Sequence, residues 1–373
     1  ALALWATGLV GWSVGALAIA GLWLFHRRTR TFLRAIDGAT ERPARELGVT
    51  AELLARLERE PFTAPRLVVL HAQLVGGAHS ASRRIARLRT LVEWHQARRS
   101  QLFGIVAWVL CWGEHFGLAI ERWRLAHGAD IERWLAALGE LEALAALSAY
   151  AFEHPGDPLP VIAADDSAVL EGTALGHPLL PRERCVVNDV ALGGPRRALM
   201  ISGSNMSGKS TYLRTVGTNV VLALAGAPVR AGALRLTPLW IGASIRIEDS
   251  LRGGSSRFFA EITRLRQVTE LRERGLPVLF LLDEVLHGTN SADRQAGASA
   301  LLHGLVDAGA IGMMTTHDLA LATDVDDAAP AIENVHFCDE LREGELVFDY
   351  RMHPGIVQTS NALALMRAVG LEV

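Results

Sequence analysis

The spacing of apolar residues divides the chain into three stretches of different pattern. Residues 1–25 contain no charged side chain and are long enough to predict a helix that spans a bilayer. Residues 31–154 place apolar residues at helical spacing almost throughout, which predicts an all-helical segment. From Val161 onwards, short apolar runs alternate with helical stretches, and this alternation is typical of an α/β domain. The loop 154–160 is rich in turn-forming residues, so the predicted domains are 1–25, 26–154 and 155–373.

Short apolar runs in the α/β stretch predict its strands. Each run is bounded by residues that favour turns, as expected for a buried strand. The predicted strands are Cys185–Val187, Ala198–Ser202, Val278–Leu282, Ile311–Thr315, Val335–Cys338 and Glu345–Tyr350.

The apolar amino-terminal stretch carries two features that favour a membrane helix. Gly11 and Gly15 have the spacing at which two helices pack closely in a bilayer. A basic run from His26 to Arg30 follows, and positive charge on that flank predicts a cytoplasmic chain tethered to the inner membrane. A cleaved signal peptide and a buried core helix are the alternatives. No basic segment precedes the apolar run, which disfavours the signal peptide.

Charge and cysteine content restrict the partners and the compartment. The formal net charge is −3, but residues 27–100 hold 15 arginines against 7 acidic residues. Such a stretch suits the phosphates of nucleic acid or of lipid headgroups, although solvated helix faces give the same balance. Cys111, Cys185 and Cys338 are odd in number and lack C-x-x-C spacing. This suits a reducing compartment and argues against a disulfide framework and a zinc site.

One stretch fits a phosphate-binding motif at every required position. The pattern G-x-x-x-x-G-K-[ST] begins at Gly203, after an apolar run and before a helix-like stretch. Backbone N–H groups of the turn and the amino end of the helix would surround the phosphates of ATP. Lys209, the only lysine in the chain, would reach the β- and γ-phosphates, and the Ser210 hydroxyl would hold Mg²⁺. The predicted nucleotide contacts are Gly203, Ser204, Asn205, Met206, Ser207, Gly208, Lys209, Ser210 and Thr211.

Downstream residues supply the remaining parts of an ATPase. An apolar run ends in Asp283 and Glu284, of which the first can hold Mg²⁺ and the second can polarise the attacking water. A small-residue signature that contains Ser256 lies upstream, and His317 ends the following predicted strand. This order resembles the ATP-binding-cassette ATPases, in which two subunits enclose ATP between one P-loop and the partner's signature. The predicted catalytic residues are Glu284, Lys209, Ser256 and His317, and the predicted metal ligands are Ser210 and Asp283.

The α/β stretch resembles the ATPase domain of the MutS family of DNA mismatch-repair proteins. The resemblance rests on the P-loop, on the segment Asp283–Asn290, and on short stretches around His177 and Asn188. It implies a dimeric ATPase that binds duplex or branched DNA. His177 and Asn188 would flank the adenine, and Ser256 would act on the ATP of the opposite subunit. Residues 66–154 resemble the helical lever domain of the family, and the whole chain resembles its membrane-tethered branch. The arginines expected to contact DNA are Arg83, Arg84, Arg87 and Arg89.

The chain also departs from the family pattern. The stretch before the lever-like residues is too short for the mismatch-reading domain, so mismatch recognition rests on the resemblance alone. Phe259-Ala260-Glu261 spells the Phe-x-Glu motif of that domain but lies on the signature helix, and we interpret it as coincidence. Two other functions stay open: a membrane-anchored ATPase that acts on protein or lipid, and a scaffold that binds nucleotide without hydrolysis. The Asp283-Glu284 pair argues against the scaffold.

Overall fold

The structure is a computed structural model that describes most of the chain. The described residues are 12–40, 43–76, 80–165, 167–204, 206–245, 257–275, 277–286, 290–328, 331–342 and 345–357. Contacts divide the chain into two compact units, Ala1–Ala146 and Leu147–Val373. The division falls inside a long helix, whereas the sequence suggests a boundary in the loop 154–160, and the domain limits stay a prediction. Residues 1–11, Asn205 and Ser256 lie outside the described residues.

The described residues between Trp12 and Glu153 are helical apart from their connections, in agreement with the apolar spacing. Pro65 opens the third helix, where a missing backbone N–H costs no hydrogen bond. The helices are α1 (Trp12–Thr40), α2 (Pro43–Leu57), α3 (Pro65–Val75), α4 (Ala81–Ala97), α5 (Gly104–Val109) and α6 (Trp112–Glu153).

Leucines and two tryptophans form the core of the helical unit. Leu54, Leu70 and Leu74 from α2 and α3 are fully buried, and Trp123 and Trp134 of α6 belong to the same cluster. Full burial of a large apolar side chain contributes about 1.5–3 kcal/mol. The sequence predicts that Trp108, Trp112, Trp123 and Trp134 pack between long helices and do not form a stacking platform for bases. Core packing is confirmed for Trp123 and Trp134, whereas Trp108 and Trp112 are only partly buried.

Arg84 on α4 is engaged within the same unit. Its guanidinium lies over the ring of Trp134, 5.7 Å from the ring centroid, and pairs with Asp130 at 3.1 Å. The backbone oxygen of Arg84 also accepts the indole N–H of Trp123. These contacts argue against the predicted contact between Arg84 and DNA, because the charge is already matched inside the protein.

Described strands of the second unit form a larger and a smaller sheet. The larger sheet has the order β10-β9-β4-β8-β7-β6, with β9 and β10 antiparallel and the other neighbours parallel. The smaller sheet has the order β1-β5-β2-β3. The strands are β1 (Val161–Ile162), β2 (Leu170–Leu175), β3 (Asn188–Leu192), β4 (Ala198–Gly203), β5 (Ala233–Leu236), β6 (Trp240–Ser244), β7 (Val278–Asp283), β8 (Ile311–Thr316), β9 (Ile332–Arg342) and β10 (Glu345–Pro354). The helices of this unit are α7 (Lys209–Leu224), α8 (Arg257–Glu270), α9 (Ser291–Asp307) and α10 (Leu319–Ala328).

The predicted strands from Ala198 onwards are confirmed, and the first one is wrong. Cys185 closes a short 3₁₀ helix, Arg182–Arg184, by donating its N–H to the oxygen of Arg182. Strand β3 therefore begins only at Asn188. A search for continuous apolar runs also misses β1, β2, β5 and β6. Strand β1 has only two residues, and the residues of the other three alternate between buried and more exposed positions.

Parallel pairing brings several strand ends to one edge of the larger sheet. Strand β4 lies between β9 and β8, and β7 lies beside β8. The register pairs Ser202 with Thr316 and Asp283 with Thr315. Strands β4 and β8 are buried along their whole length, with α7 packed against one face and α9 and α10 against the other. The ends of β4 and β7 therefore lie at the same edge of the sheet, each in a fixed register with β8 between them.

One helix of the described chain, α6, is long and apolar enough to cross a membrane, which is weak evidence by itself. The predicted span 1–25 lies partly outside the described residues, and from Trp12 onwards it forms the start of α1. Trp12 and Leu17 are 79% and 73% exposed. The membrane span at residues 1–25 stays a prediction.

The close packing of β7 and β8 can be tested at Gly312. A Cβ added to Gly312 would lie 2.2 Å from the backbone oxygen of Phe280 on β7. We expect Gly312→Ala to lower the free energy of unfolding by at least about 2 kcal/mol, as overpacking does. Chemical denaturation followed by circular dichroism measures this change.

Gly304→Ala in α9 is the matched control. Nothing lies within 4 Å of the added Cβ, and alanine favours a helix interior over glycine by about 0.5–1 kcal/mol. Equal losses of stability in the two variants would contradict the close approach of β7 and β8.

Candidate functional site

The loop between β4 and α7 turns sharply at two glycines. Gly203 has a φ of 144° and Gly208 a φ of 111°, values that L side chains rarely adopt. A Cβ at Gly203 would also lie 2.6 Å from the backbone oxygen of Phe337 on β9. The turn leads directly into α7, which begins at Lys209. Backbone N–H groups at the amino end of a helix form a binding site for phosphate oxygens.

Lys209 is held inside this loop. Its ammonium donates to the carbonyl oxygens of Gly203 at 2.8 Å and of Ser204 at 2.7 Å, and the residue is only 4% exposed. A carboxylate oxygen of Glu284 lies 3.5 Å from the ammonium. Burial lowers the pKa of Lys209, and the charge of Glu284 opposes that effect. The loop thus concentrates positive charge where phosphate oxygens would bind.

Hydrogen bonds join the start of α7 to the end of β7. The hydroxyl of Ser210 donates to Asp283 Oδ1 at 3.0 Å, and the hydroxyl of Thr315 donates to the same oxygen at 2.7 Å. A hydroxyl and a carboxylate are hard oxygen donors of the kind that Mg²⁺ prefers. The two residues expected to hold the metal, Ser210 and Asp283, therefore lie together and fit that ion.

Thr315 connects both acidic residues of the site, although no sequence motif singles it out. Besides donating to Asp283, its hydroxyl accepts the backbone N–H of Glu284 at 3.0 Å. Glu284 has a φ of 47°, a left-handed conformation that costs a residue other than glycine about 1–3 kcal/mol. Thr315 is 1% exposed, so packing fixes its side chain. The hydroxyl faces Asp283 because of the register of β7 and β8, which a local motif cannot reveal.

His317 reaches the same edge of the sheet from the end of β8. Its Nδ1 lies 3.7 Å from Glu284 Oε1, and its side chain is 43% exposed. Of the predicted catalytic residues, Lys209, Glu284 and His317 are therefore brought together. The fourth, Ser256, lies outside the described residues.

A cavity of about 290 Å³ opens beside the P-loop. His177 and Asn188, the two residues expected at the adenine, line it together with Gly208 and Thr211. Aromatic rings provide flat surfaces on which a purine base can stack. The aromatic residues of the lining, which the sequence does not single out, are Tyr212, Phe337 and Tyr350.

Asn188 bonds to the backbone of β10. Its Nδ2 donates to the oxygen of Tyr350 at 3.0 Å, and its Oδ1 accepts the N–H of Met352 at 2.8 Å. These bonds bridge a stretch where the register of β10 shifts. They fix Tyr350, whose ring lies so close to the P-loop that a Cβ at Gly208 would be 3.2 Å from it. Asn188 therefore holds the backbone around Tyr350 in place, and both residues line the cavity.

His177 is positioned through a buried asparagine of α7. Asn219 is fully buried, donates to the oxygen of Gly176 at 3.0 Å and accepts the N–H of Arg230 at 2.7 Å. Gly176 is thereby fixed immediately before His177. Burial lowers the pKa of His177, and the charge of Arg214 lowers it further, so both effects favour the neutral imidazole.

The carboxylate of Glu261 on α8 is hydrogen-bonded to another part of the same unit. It is buried and accepts the backbone N–H of Leu286 at 2.6 Å, which fastens the segment after β7 to α8. The Phe-x-Glu stretch that contains Glu261 therefore has a structural use here, in keeping with its interpretation as coincidence.

Several known proteins are similar to large parts of this chain. Over 255 residues it is 34% identical to DNA mismatch repair protein MutS 2 of Halobacterium salinarum, covering 67% of this chain and 29% of that protein. Over 187 residues it is 40% identical to DNA mismatch repair protein MutS of an Exiguobacterium species, covering 48% and 22%. Over 261 residues it is 31% identical to DNA mismatch repair protein MSH6 of Arabidopsis thaliana, covering 64% and 20%.

A family model agrees with these similarities. The model described as MutS domain V matches residues 199–372, a range that contains the P-loop, Asp283, Glu284 and His317. The chain spans less than a third of the length of the curated relatives that it matches. Within that span the P-loop, the paired carboxylates and the matched domain coincide, and the chain therefore belongs to the MutS family.

Proposed function

We propose that the chain is an ATPase of the DNA mismatch-repair family that binds Mg·ATP, hydrolyses it as a dimer and associates with duplex or branched DNA. One observation carries the ATPase part: the hydrogen bonds that run from Ser210 through Asp283 and Thr315 to Glu284, beside the buried Lys209. Mismatch recognition is not part of the proposal, because the similarity covers only 29% of MutS 2.

Lys209 and its loop would bind the phosphates of ATP. Phosphate oxygens replace the carbonyls of Gly203 and Ser204 as acceptors of the ammonium group. A hydrogen bond between two charged partners is roughly twice as strong as one to a neutral carbonyl. Burial of the ammonium strengthens the interaction further, because little water screens it.

The paired carboxylates would divide the work of hydrolysis. Ser210 and Asp283 provide the oxygen ligands for Mg²⁺, which when bound neutralises charge on the phosphates. Glu284 orients a water molecule for attack on the γ-phosphate and accepts its proton. Thr315 holds the backbone N–H of Glu284 and so fixes the direction of that carboxylate. His317 stands beside Glu284, within reach of the same water or of the γ-phosphate.

The aromatic cavity would hold the adenine. It adjoins the P-loop through Gly208 and Thr211, so a nucleotide bound there keeps its base and its phosphates in one continuous site. Tyr350 and Phe337 offer rings for stacking. The neutral imidazole of His177 can donate or accept a hydrogen bond at the base.

A second subunit would complete the site. The ATP-binding-cassette resemblance assigns Ser256 to the signature that contacts the partner's ATP. Ser256 immediately precedes α8, which begins at Arg257. A hydroxyl at the positive end of a helix suits the γ-phosphate, because hydroxyl and helix dipole both favour negative charge there.

The exposed arginines of α4 are the proposed DNA contacts. Arg83 and Arg87 lie one helical turn apart, both exposed, and neither has an ion pair with another described residue. Arg89 differs, since it pairs with Glu93 at 2.7 Å. Arg83 and Arg87 therefore have charge to offer to phosphates on one face of the helix.

The exposed start of α1 favours a second candidate function, a membrane-anchored ATPase that does not act on DNA mismatches. Trp12, Leu17 and Trp23 are all more than half exposed on this helix, and Arg27 and Arg28 follow them. Large apolar side chains next to basic residues suit the edge of a bilayer. Under either function, the ATPase unit would lie in the cytoplasm, tethered to the inner membrane through residues 1–25.

Lys209→Ala tests the nucleotide site directly. We expect it to abolish Mg·ATP binding in isothermal titration calorimetry, because no other lysine can replace the charge. Glu284→Gln is the comparison variant, which should bind ATP but hydrolyse it at least about a hundredfold more slowly. Wild-type affinity in Lys209→Ala would contradict the assignment of the P-loop.

Thr315→Val tests the positioning of the carboxylates. The variant keeps the shape of the side chain but removes the hydroxyl that holds Asp283 and Glu284. We expect kcat to fall roughly tenfold to a hundredfold while KM changes little, because misplacement of a catalytic group acts on the transition state. Steady-state ATPase kinetics measure both constants. Thr315→Ser restores the hydroxyl and should recover most of kcat; a Ser variant as slow as the Val variant would contradict this role.

Mixing of two inactive variants tests the shared site. Lys209→Ala chains and Ser256→Ala chains should each lose hydrolysis, but a mixed dimer retains one intact composite site. The mixture should therefore regain part of the ATPase activity. Failure to regain any, in samples where mixed dimers are demonstrated by differently tagged chains, would overturn the dimeric mechanism.

Salt-dependent DNA binding tests the arginine contacts. Each phosphate neutralised contributes about 0.9 to the log–log salt slope for duplex DNA. We expect Arg83→Ala/Arg87→Ala to lower that slope by roughly two and to weaken all duplexes alike. Arg89→Ala on the same helix is the matched control and should change the slope by less than about one, since its charge is already paired. Absence of DNA binding at low salt, with ATPase activity intact, would favour the membrane function instead.

A further inference from the structure

The strand pair β9–β10 carries a group of metal-ligating side chains that the proposed ATPase does not use. Strand β10 is irregular, since Phe348 pairs with Asp339 but Met352 pairs with Phe337. Residues 349–351 of β10 therefore lie opposite Cys338 alone. This excess of residues brings two ligand-bearing side chains of β10 next to the thiol of β9.

The ligand atoms of this group lie close together. Cys338 Sγ is 3.8 Å from Asp349 Oδ2, and His353 Nε2 is 2.8 Å from the same oxygen. All three ligand atoms lie within 4.8 Å of one another. A tetrahedral zinc ion, with bonds near 2.0 Å to nitrogen or oxygen and 2.3 Å to sulfur, separates its ligand atoms by about 3.3–3.5 Å. Changes of at most about 1.3 Å in the separations of these ligand atoms would therefore admit the ion.

We propose that Cys338, Asp349 and His353 bind one zinc-class divalent cation, with water in the fourth position. A thiolate combined with an imidazole selects zinc over Mg²⁺ or Ca²⁺, which prefer oxygen ligands alone. Three protein ligands leave a position open, as tetrahedral sites with exchangeable water do. Spacing rules based on C-x-x-C overlook this group, because β-sheet pairing joins Cys338 to ligands that lie 11 or more residues away from it in the chain.

A second trio of similar composition shows by contrast what a structural cluster looks like. His26, Cys111 and Glu114 also lie within ligand distance in the helical unit. There, however, His26 Nδ1 bonds to Glu114 at 2.6 Å and Nε2 bonds to the backbone oxygen of Trp108 at 2.9 Å. The buried Glu114 carboxylate also accepts the hydroxyl of Thr29 at 2.8 Å, so this trio is already satisfied by partners within the helical unit.

The location of the cation site would connect it to the nucleotide cavity. Asp349 and His353 flank Tyr350 in the chain, and Tyr350 lines that cavity. A bound cation would hold the backbone on both sides of Tyr350. If the cavity binds ATP as proposed above, cation and nucleotide should each raise the affinity for the other by the same factor. The cation site itself does not depend on that function and is tested without nucleotide.

Cobalt spectroscopy on a single-thiol protein tests the site. Cys111→Ser/Cys185→Ser leaves Cys338 as the only cysteine of the three in the chain. Titration of this variant with Co²⁺ should produce a sulfur-to-cobalt charge-transfer band that saturates at one equivalent and disappears on addition of Zn²⁺. Adding Cys338→Ser should abolish the band. Circular dichroism verifies that each variant is folded.

Variants of the other two ligands distinguish a metal site with three protein ligands from cobalt binding to a single thiol. In the single-thiol protein, Asp349→Asn and His353→Gln should each weaken cobalt binding by at least about tenfold, the loss that even an outer-shell partner can cause. His303→Gln on α9, a histidine outside the group, should leave binding unchanged. Absence of the band in the single-thiol protein, or a cobalt affinity that neither Asp349→Asn nor His353→Gln lowers relative to that protein, would overturn the proposal.

Discussion

The hydrogen bonds of a buried ammonium group to two backbone carbonyls are the contact around which the proposed nucleotide site is arranged. Lys209 is almost fully buried, and an isolated charge in such a place is costly unless it is paired and hydrogen-bonded. The loop supplies the carbonyls of Gly203 and Ser204, and β7 supplies the nearby charge of Glu284. The loop can close around the ammonium because Gly203 tolerates its unusual φ and has no Cβ to strike Phe337. The same closure places the loop at the amino end of α7, where backbone N–H groups without helical partners suit phosphate oxygens.

The strand order of the larger sheet determines which side chains lie near Lys209. The parallel strands end at one edge, so Asp283 and Thr315 become neighbours although β7 and β8 are separated by a helix in the chain. Thr315 then links Asp283 to the backbone of Glu284, which holds a strained conformation next to the phosphate loop. Strain of this kind persists only where the surroundings over-determine it. Packing on both faces of the sheet provides that restraint.

Sequence reasoning places side chains correctly where contiguous residues determine the geometry. Lys209 and the Asp283-Glu284 pair could be predicted because a strand, a turn and a helix follow one another locally, and the motif fixes their geometry. Thr315 and Tyr350 could not be predicted, since the first depends on strand register and the second on a register shift that Asn188 bridges. For the same reason, a spacing rule misses the group of metal-ligating side chains on β9 and β10. The ion pair between Arg84 and Asp130, which are far apart in the chain, also becomes visible only in the fold.

The most direct test of this account is an experimental structure of the Glu284→Gln chain with Mg·ATP. We expect the ammonium of Lys209 to leave the loop carbonyls and contact the β- and γ-phosphates. The metal should lie between Ser210 and Asp283, with the adenine in the aromatic cavity beside Tyr350. A nucleotide bound while Lys209 still contacts the loop carbonyls, or with its base outside that cavity, would contradict the account.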